Sequence, residues 1–392
     1  MLSAFAMARK SLVRTGLAVA ALALAACVPS GPRTAGGPML DAGAPVAVAL
    51  LVPGGSGQAS DELLARSLQN AAQLAIADLG GVQIDLRVYN TSGQPGQAQA
   101  MALQAAEEGA QIILGPVFAQ EANAAGVAVA SRGINVLSFS NNPDIAGRNV
   151  FVLGPTFANT AERLASYAVR NGKSRIMIVS DRNQAGTVGR AAAERGIRAA
   201  GGSVVATGDY EFSQNGVVQA APAIVQLARS SGADAVFLTA DTAGALPLVT
   251  QLLKESGLDP AVTQYIGLTR WDIPAATLAL PGVQGGWFAL PDPGLYAQFQ
   301  SRYQAAFGEA PHPIAGLAYD GIAAIGALAK QGKSDALTAN ALTQNSGFAG
   351  VNGVFRLRSD GTNERGLAVA QIRDNQIVVI DPAPRSFAGA GF

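Results

Sequence analysis

A single cysteine, Cys27, serves all 392 residues, so no disulfide can form within the chain and packing must supply its stability. A single histidine, His312, stands between Pro311 and Pro313. It has no HExxH partner and no neighbouring cysteine, which argues against a zinc site of the usual ligand types and makes it a turn residue. A Ser-His-Asp triad would have to use it, and no G-x-S-x-G elbow occurs. In Gly54-Gly55-Ser56-Gly57-Gln58 the last glycine is missing. A basic excess is missing too. Lys plus Arg and Asp plus Glu are 27 each, and setting aside Arg9, Lys10 and Arg14 leaves 24 against 27. Nucleic acid, whose phosphates demand a basic face, is therefore not an expected partner. Beyond residue 27 there is no apolar run of about eighteen residues, so no membrane-spanning helix is expected there.

What is present begins at the N-terminus. Residues 1–16 carry three basic residues and no acid, and residues 17–26 are apolar. A basic head, a short apolar stretch and a small-residue exit make an export signal. Ten residues are too few for a ~30 Å hydrocarbon core. Leu24-Ala25-Ala26-Cys27 resembles a bacterial lipobox, in which the cysteine becomes the lipid-bearing N-terminus. The alternative is an ordinary secretory signal with a chance cysteine. Residues 28–44 are rich in Gly and Pro and read as a flexible tether. By resemblance to Gram-negative lipoproteins, Val28 in place of an aspartate favours the outer membrane over the inner.

From residue 45 the pattern alternates between strand and helix. Residues 46–52 (VAVALLV) form a continuous apolar run, as in a strand buried on both faces. Ser60, Asp61 and Glu62 open a helix whose Leu64, Leu68, Ala71, Ala75 and Leu79 recur at helical spacing. Strands are expected at 83–90, 110–114 and 135–140, with helices at 96–109 and 122–132. The alternation restarts at 175–180 and runs through strands at 203–207, 235–239 and 264–268. Helices at 188–200, 217–230 and 246–255 separate these strands. Short βα units imply parallel sheets covered by helices. The tail differs: residues 353–358 and 367–380 read as antiparallel strands, with Asp374-Asn375 as a turn.

Two glycine motifs fail as cofactor sites. Gly55-Ser56-Gly57 follows a strand, but Ser60 occupies the third glycine position and Asn90 stands where a ribose-binding acid is expected. Gly172-Lys173-Ser174 resembles the end of a phosphate loop, yet Tyr167 replaces its first glycine and a strand follows instead of preceding it. No cofactor, no metal and no catalytic residue is therefore expected, and the chain reads as a binder. In open α/β sheets ligands sit beyond the carboxyl ends of the strands. Those ends here carry hydroxyls, amides and helix N-termini, suited to a small polar or anionic group. Each such residue serves equally well as a helix cap.

Several blocks carry a family resemblance: Leu114-Gly115-Pro116, Val136-Leu137-Ser138-Phe139-Ser140, and 151–155 ahead of a helix. They resemble type I periplasmic binding proteins of the branched-chain amino-acid class. The blocks at 267–272, 284–288 and 314–320 look like penicillin-binding protein activators, lipoproteins that share that fold. The resemblance covers about 45–382 and implies two Rossmann-like lobes, three crossings and an interlobe cleft. Lobe 1 is expected at about 45–155 plus 284–335, lobe 2 at about 156–283 plus 336–382, and a tail at 383–392. Ser138, Ser140 and Asn141 match the family's carboxylate-binding loop, and Asp241 is the nearest match to its ammonium-binding acid. Asn183 falls where such binders often place an aromatic, and Phe157 lies beside a crossing. Trp271, with Trp287 the only other tryptophan, either lines the cleft or packs at a lobe edge. The implied function is a non-enzymatic, lipid-anchored periplasmic protein. The leading reading is an envelope regulator that acts on peptidoglycan synthesis by contact with a synthase; the alternative is a subunit that captures an amino-acid-like ligand for an ABC permease. Both readings share one fold, and fold alone does not choose between them.

Overall fold

The computed structural model describes residues 37–41 and 43–387. Cys27 and its lipobox lie outside the described residues, as do most of the tether and the last five residues of the tail.

The first α/β unit starts with β1 (Val46–Val52), α1 (Ala59–Asp78), β2 (Ile84–Asn90) and α2 (Pro95–Glu107). It continues through β3 (Ile112–Leu114), α3 (Ala119–Val129), β4 (Asn135–Ser138) and β5 (Val150–Val152). The strands pair in parallel in the order β2-β1-β3-β4-β5. Alternation along β1 shows why its apolar run is unbroken. Val46, Val48, Leu50 and Val52 face a core shared with α1, while Ala49 and Leu51 face a second core with Ala102 and Ala105 of α2. A strand covered on both faces has no polar side to show.

The second unit repeats the plan. It comprises α4 (Phe157–Arg170), β6 (Arg175–Asp181), α5 (Gln184–Ala199), β7 (Ser203–Tyr210), α6 (Gln214–Ser230), β8 (Ala235–Leu238), α7 (Leu246–Glu255), β9 (Gln264–Gly267) and β10 (Trp287–Leu290). Its parallel strands run in the order β7-β6-β8-β9-β10, the same winding as the first sheet. Each sheet thus has a topological switch point, between β1 and β3 in one and β6 and β8 in the other. The chain then returns to lobe 1 with α8 (Pro293–Phe307), α9 (Gly316–Ala329), the short α10 (Ala339–Leu342) and a ribbon of β11 (Phe348–Gly350), β12 (Gly353–Leu357) and β13 (Asn363–Arg365). It ends on the second sheet with antiparallel β14 (Ala368–Arg373) and β15 (Gln376–Asp381). Asp374 and Asn375 make their turn with φ of 51° and 63°, a left-handed geometry that Asn and Asp tolerate.

The crossings differ from the expected boundaries. Residues 284–290 stay with lobe 2, because β10 pairs with β9 and β14, so the chain crosses after Leu290. Residues 336–357 belong to lobe 1, because Leu337, Phe348, Phe355 and Leu357 pack into the core of α1 and α9. The last crossing falls between β13 and β14. It is stitched to the first. Asn363 Nδ2 donates to the carbonyls of Val152 and Gly154 at 2.7 and 2.9 Å, and the Val152 N–H donates to Gly361 O at 2.9 Å. Arg163 Nε of α4 donates to Leu367 O at 2.7 Å.

Candidate functional site

The loops after β4 and β9 face one another across the crossings and line a cavity of about 260 Å³. Lobe 1 contributes Asn141, Ile314 and Leu317; lobe 2 contributes Leu268, Thr269, Arg270 and Ile273. The crossings close it with Thr156 and Phe157, with Leu290 and Pro291, and with Arg365 and Leu367. A concave, mainly apolar space with a few polar groups, set between lobes, is the usual form of a small-molecule site.

Local sequence builds these walls. Thr156 caps α4 with a full capping box: its hydroxyl accepts from the Asn159 N–H at 3.3 Å, and Asn159 Oδ1 accepts from the Thr156 N–H at 2.9 Å. That fixes Phe157 at the first helical position, against the cavity. Gly115 holds φ +87°, and a Cβ there would lie 2.2 Å from Leu51 O. Only glycine permits this approach of the β3 loop to β1.

The expected site residues separate into four groups. Asn141 and Phe157 line the cavity together. Ser138 and Ser140 do not. The Ser138 hydroxyl is buried, donates to Pro116 O at 3.0 Å and accepts from the Ser140 N–H at 3.1 Å. The Ser140 hydroxyl accepts from the Asn142 N–H at 3.1 Å. Both serines shape the loop that presents Asn141. Asn183 caps α5, its side chain accepting from the Gly186 N–H at 2.7 Å. It stands beside Asp181, which accepts a hydrogen bond from the Tyr210 hydroxyl. Burial raises the Asp181 carboxyl above its ordinary value; the Tyr210 hydrogen bond opposes this and the charge of nearby Asp241 adds to it. Asp241 is exposed, and the cavity lining does not include it.

Trp271 is a correction. It is fully buried in the lobe 2 core with Tyr265, Val283 and Phe288. Its indole fills the space left by two glycines: a Cβ on Gly267 would lie 2.2 Å from it, and one on Gly286 2.3 Å. Trp287 is also buried, edge-on to Tyr167 with ring centroids 5.0 Å apart. The block that carries Trp271 does reach the cavity, but through Thr269, Arg270 and Ile273. The strand end at 269–272 is one of those where the sequence places polar groups for a ligand, but of this stretch only Trp271 was singled out as a site residue. His312 is half-buried in its turn, where Nδ1 accepts from the Ile314 N–H at 3.4 Å.

The profile of a family described as periplasmic binding protein matches residues 45–376. The chain belongs to the periplasmic binding protein family. Membership implies a periplasmic location. Three solved structures illustrate the likeness. A branched-chain amino acid ABC transporter periplasmic ligand-binding protein from Burkholderia xenovorans is 17% identical with a TM-score of 0.68, over 88% of this chain and 97% of that one. An ABC transporter substrate-binding protein from Desulfitobacterium hafniense, in complex with leucine, is 20% identical with a TM-score of 0.64, over 86% and 100%. A leucine-, isoleucine-, valine-, threonine- and alanine-binding protein from Brucella ovis, in a closed conformation, is 18% identical with a TM-score of 0.64, over 86% and 93%. At these identities the likeness is one of fold: the two-lobed α/β architecture expected from the sequence. No curated protein sequence matches the chain.

Proposed function

We propose that this periplasmic binding protein is the ligand-capture subunit of an ABC importer, without enzymatic activity, and that its interlobe cavity takes a small molecule of amino-acid size. The observation that carries the reading is the cavity itself, to which both lobes and all three crossings contribute. A ligand there touches both lobes, so it favours whichever lobe arrangement makes more contacts with it, which is the basis of capture by domain closure. Two of the structures named above are ABC transporter ligand- or substrate-binding proteins and the third is an amino-acid-binding protein, which supports this reading over regulation of a peptidoglycan synthase. The two tryptophans of the blocks that carried the activator resemblance are core residues here, and offer no surface to a protein partner.

On this reading a lipid at Cys27 tethers the protein to the membrane, within reach of an inner-membrane permease. Val28 favours the outer membrane instead, so the two expectations conflict. Membrane fractionation decides between them: recovery with the outer membrane alone overturns the importer reading.

The binding test is thermal unfolding of the purified protein against amino acids, their deaminated acids and muropeptides. A ligand at about a hundred times its Kd adds ~2.7 kcal/mol of stability. A dose-dependent rise with a small molecule, abolished by Ile314→Trp, supports capture in the cavity. A rise only with muropeptides, unaffected by Ile314→Trp, refutes it.

A further inference from the structure

Resting on the reading of the interlobe cavity as a ligand site, the charges in its lining bear on what it holds. The lining contains two cations and no acid among the described residues. One cation is already fully engaged. Arg365 donates through Nε at 2.8 Å and through Nη2 to the Leu153 carbonyl, and through Nη1 to Asp320 at 3.2 Å. Arg270 is engaged on one side only. Its Nε donates to Asp272 Oδ1 at 2.6 Å and its Nη2 to the other carboxylate oxygen. No hydrogen bond among the described residues engages its Nη1. The Arg270 side chain is 32% exposed and that of Asp272 9%, so the guanidinium fronts the cavity and the carboxylate stands behind it. The fork holds Arg270 in place before any ligand arrives, which lowers the ordering cost of binding.

The remaining polar groups are neutral. The hydroxyl of Thr160 and the amide of Asn141 are available to a ligand, whereas Asn352 donates its amide to Asp320 at 3.0 Å. Phe157, Ile273, Leu290, Ile314, Leu317 and Leu367 supply the apolar wall. An ammonium group in this space would lose its water beside a guanidinium with no carboxylate to replace it. Asp272 and Asp320 are both held by arginines, and Asp241 lies outside the lining. Desolvation and like charge both oppose that arrangement. A carboxylate meets the reverse situation, a positioned N–H donor of opposite charge.

We propose that the cavity selects a small monocarboxylate with an apolar body and no ammonium group, its carboxylate read by Arg270. The cavity is smaller than the ~300–1,000 Å³ of drug-sized sites, which limits the body to a short aliphatic chain or a single ring.

The test is isothermal titration with three pairs of identical body: 4-methylpentanoate and leucine, hexanoate and norleucine, 3-phenylpropanoate and phenylalanine. At least one acid is expected to bind, with its amino acid and its neutral amide each weaker by about tenfold or more. Arg270→Gln is expected to weaken that acid by roughly 10- to 100-fold, the range of a hydrogen bond to a charged group. Arg270→Lys, which keeps the charge and loses the fork, should fall between. The acid, amino-acid and amide comparison on the unaltered protein does not depend on whether the variants fold. An amino acid that binds tighter than its acid overturns the carboxylate assignment and leaves the cavity as a ligand site. An amide that binds as tightly as its acid overturns the role of charge. No binding by any member of the set overturns both the assignment and the capture reading.

Discussion

Replacing Asp320 with Ala should destabilise the protein by about 3–5 kcal/mol, the usual effect of removing one partner from a buried ion pair. Asp320 is wholly buried and Arg365 nearly so, and their contact is 3.2 Å. Burial raises the Asp320 carboxyl and lowers the Arg365 guanidinium from their ordinary values, with mutual attraction opposing each shift. The pair is therefore costly to bury, and either charge alone is costlier. Asp320 also accepts from the Asn352 side chain at 3.0 Å and sits in a notch at Gly350, where a Cβ would come within 2.0 Å of its Oδ1. Alanine would leave a buried guanidinium, an unpaired amide and a small void. Arg365 stacks over Phe355 at 5.1 Å and clamps the Leu153 carbonyl, so the disturbance reaches the first and last crossings. At ~2.1 cal/mol/K per residue, roughly 350 folded residues give an unfolding entropy near ~0.7 kcal/mol/K, so the midpoint should fall by about 4–7 °C. Urea denaturation at pH 7 with calorimetry on the same samples measures the change. Asp320→Leu combined with Arg365→Met should recover at least half of the loss, since an apolar pair replaces an ionic one. A single-variant loss below ~1 kcal/mol, or a double variant no better than the single, refutes the argument.

Glu121 offers a pH-dependent counterpart. It is fully buried and neither carboxylate oxygen has a hydrogen-bond partner among the described residues. Burial raises its pKa above the ordinary 4.5. The folded state therefore binds the proton more tightly than the unfolded state, and stability should fall as pH rises above the ordinary value, until the folded carboxyl has ionised. Glu121→Gln should remove that slope, so the variant gains on the parent between pH 4.5 and neutrality in urea titrations; an advantage that shrinks with rising pH contradicts the assignment. Ser138→Ala should cost about 1–2 kcal/mol in urea denaturation, through the lost bond to Pro116 and the orphaned Ser140 N–H; a loss below about 0.5 kcal/mol contradicts its structural role. Gly267→Ala should destabilise by more than ~3 kcal/mol or block folding, because the indole of Trp271 occupies the Cβ position and overpacking of this size has no nearby relief.

Periodicity carries long range in this chain and charge pairing does not, which explains where the sequence was legible. β1 was readable to the residue because two-sided burial forces seven apolar residues in a row, a pattern nothing else in the loops imitates. The helices were readable because their buried faces recur every three or four residues, with ends displaced by a few positions at α3 and at α5, where the Asn183 cap rather than an apolar residue sets the boundary. β5, β11 and β13 were not found as strands: what makes three residues a strand is the neighbours they pair with, which the local sequence does not state. The misplaced crossings have the same origin, since whether residues 284–290 belong to one lobe or the other depends on which strands they pair with, a long-range fact with no local signature. Site residues fare worse still. Ser138, Asn183 and Arg270 are equally polar in sequence, yet one is closed by its own loop, one caps a helix, and one keeps a donor facing the cavity. Residue type states what a side chain is able to bind. What it has already bound decides whether it is available, and its partners lie anywhere from two residues to 212 residues away. Arg365, whose partners are Leu153 and Asp320, and Arg270, whose partner is two residues on, show both ends of that range. Of these two cavity cations, the one satisfied by a close neighbour keeps a free edge for ligand, and the one satisfied by distant chain has become part of the hinge.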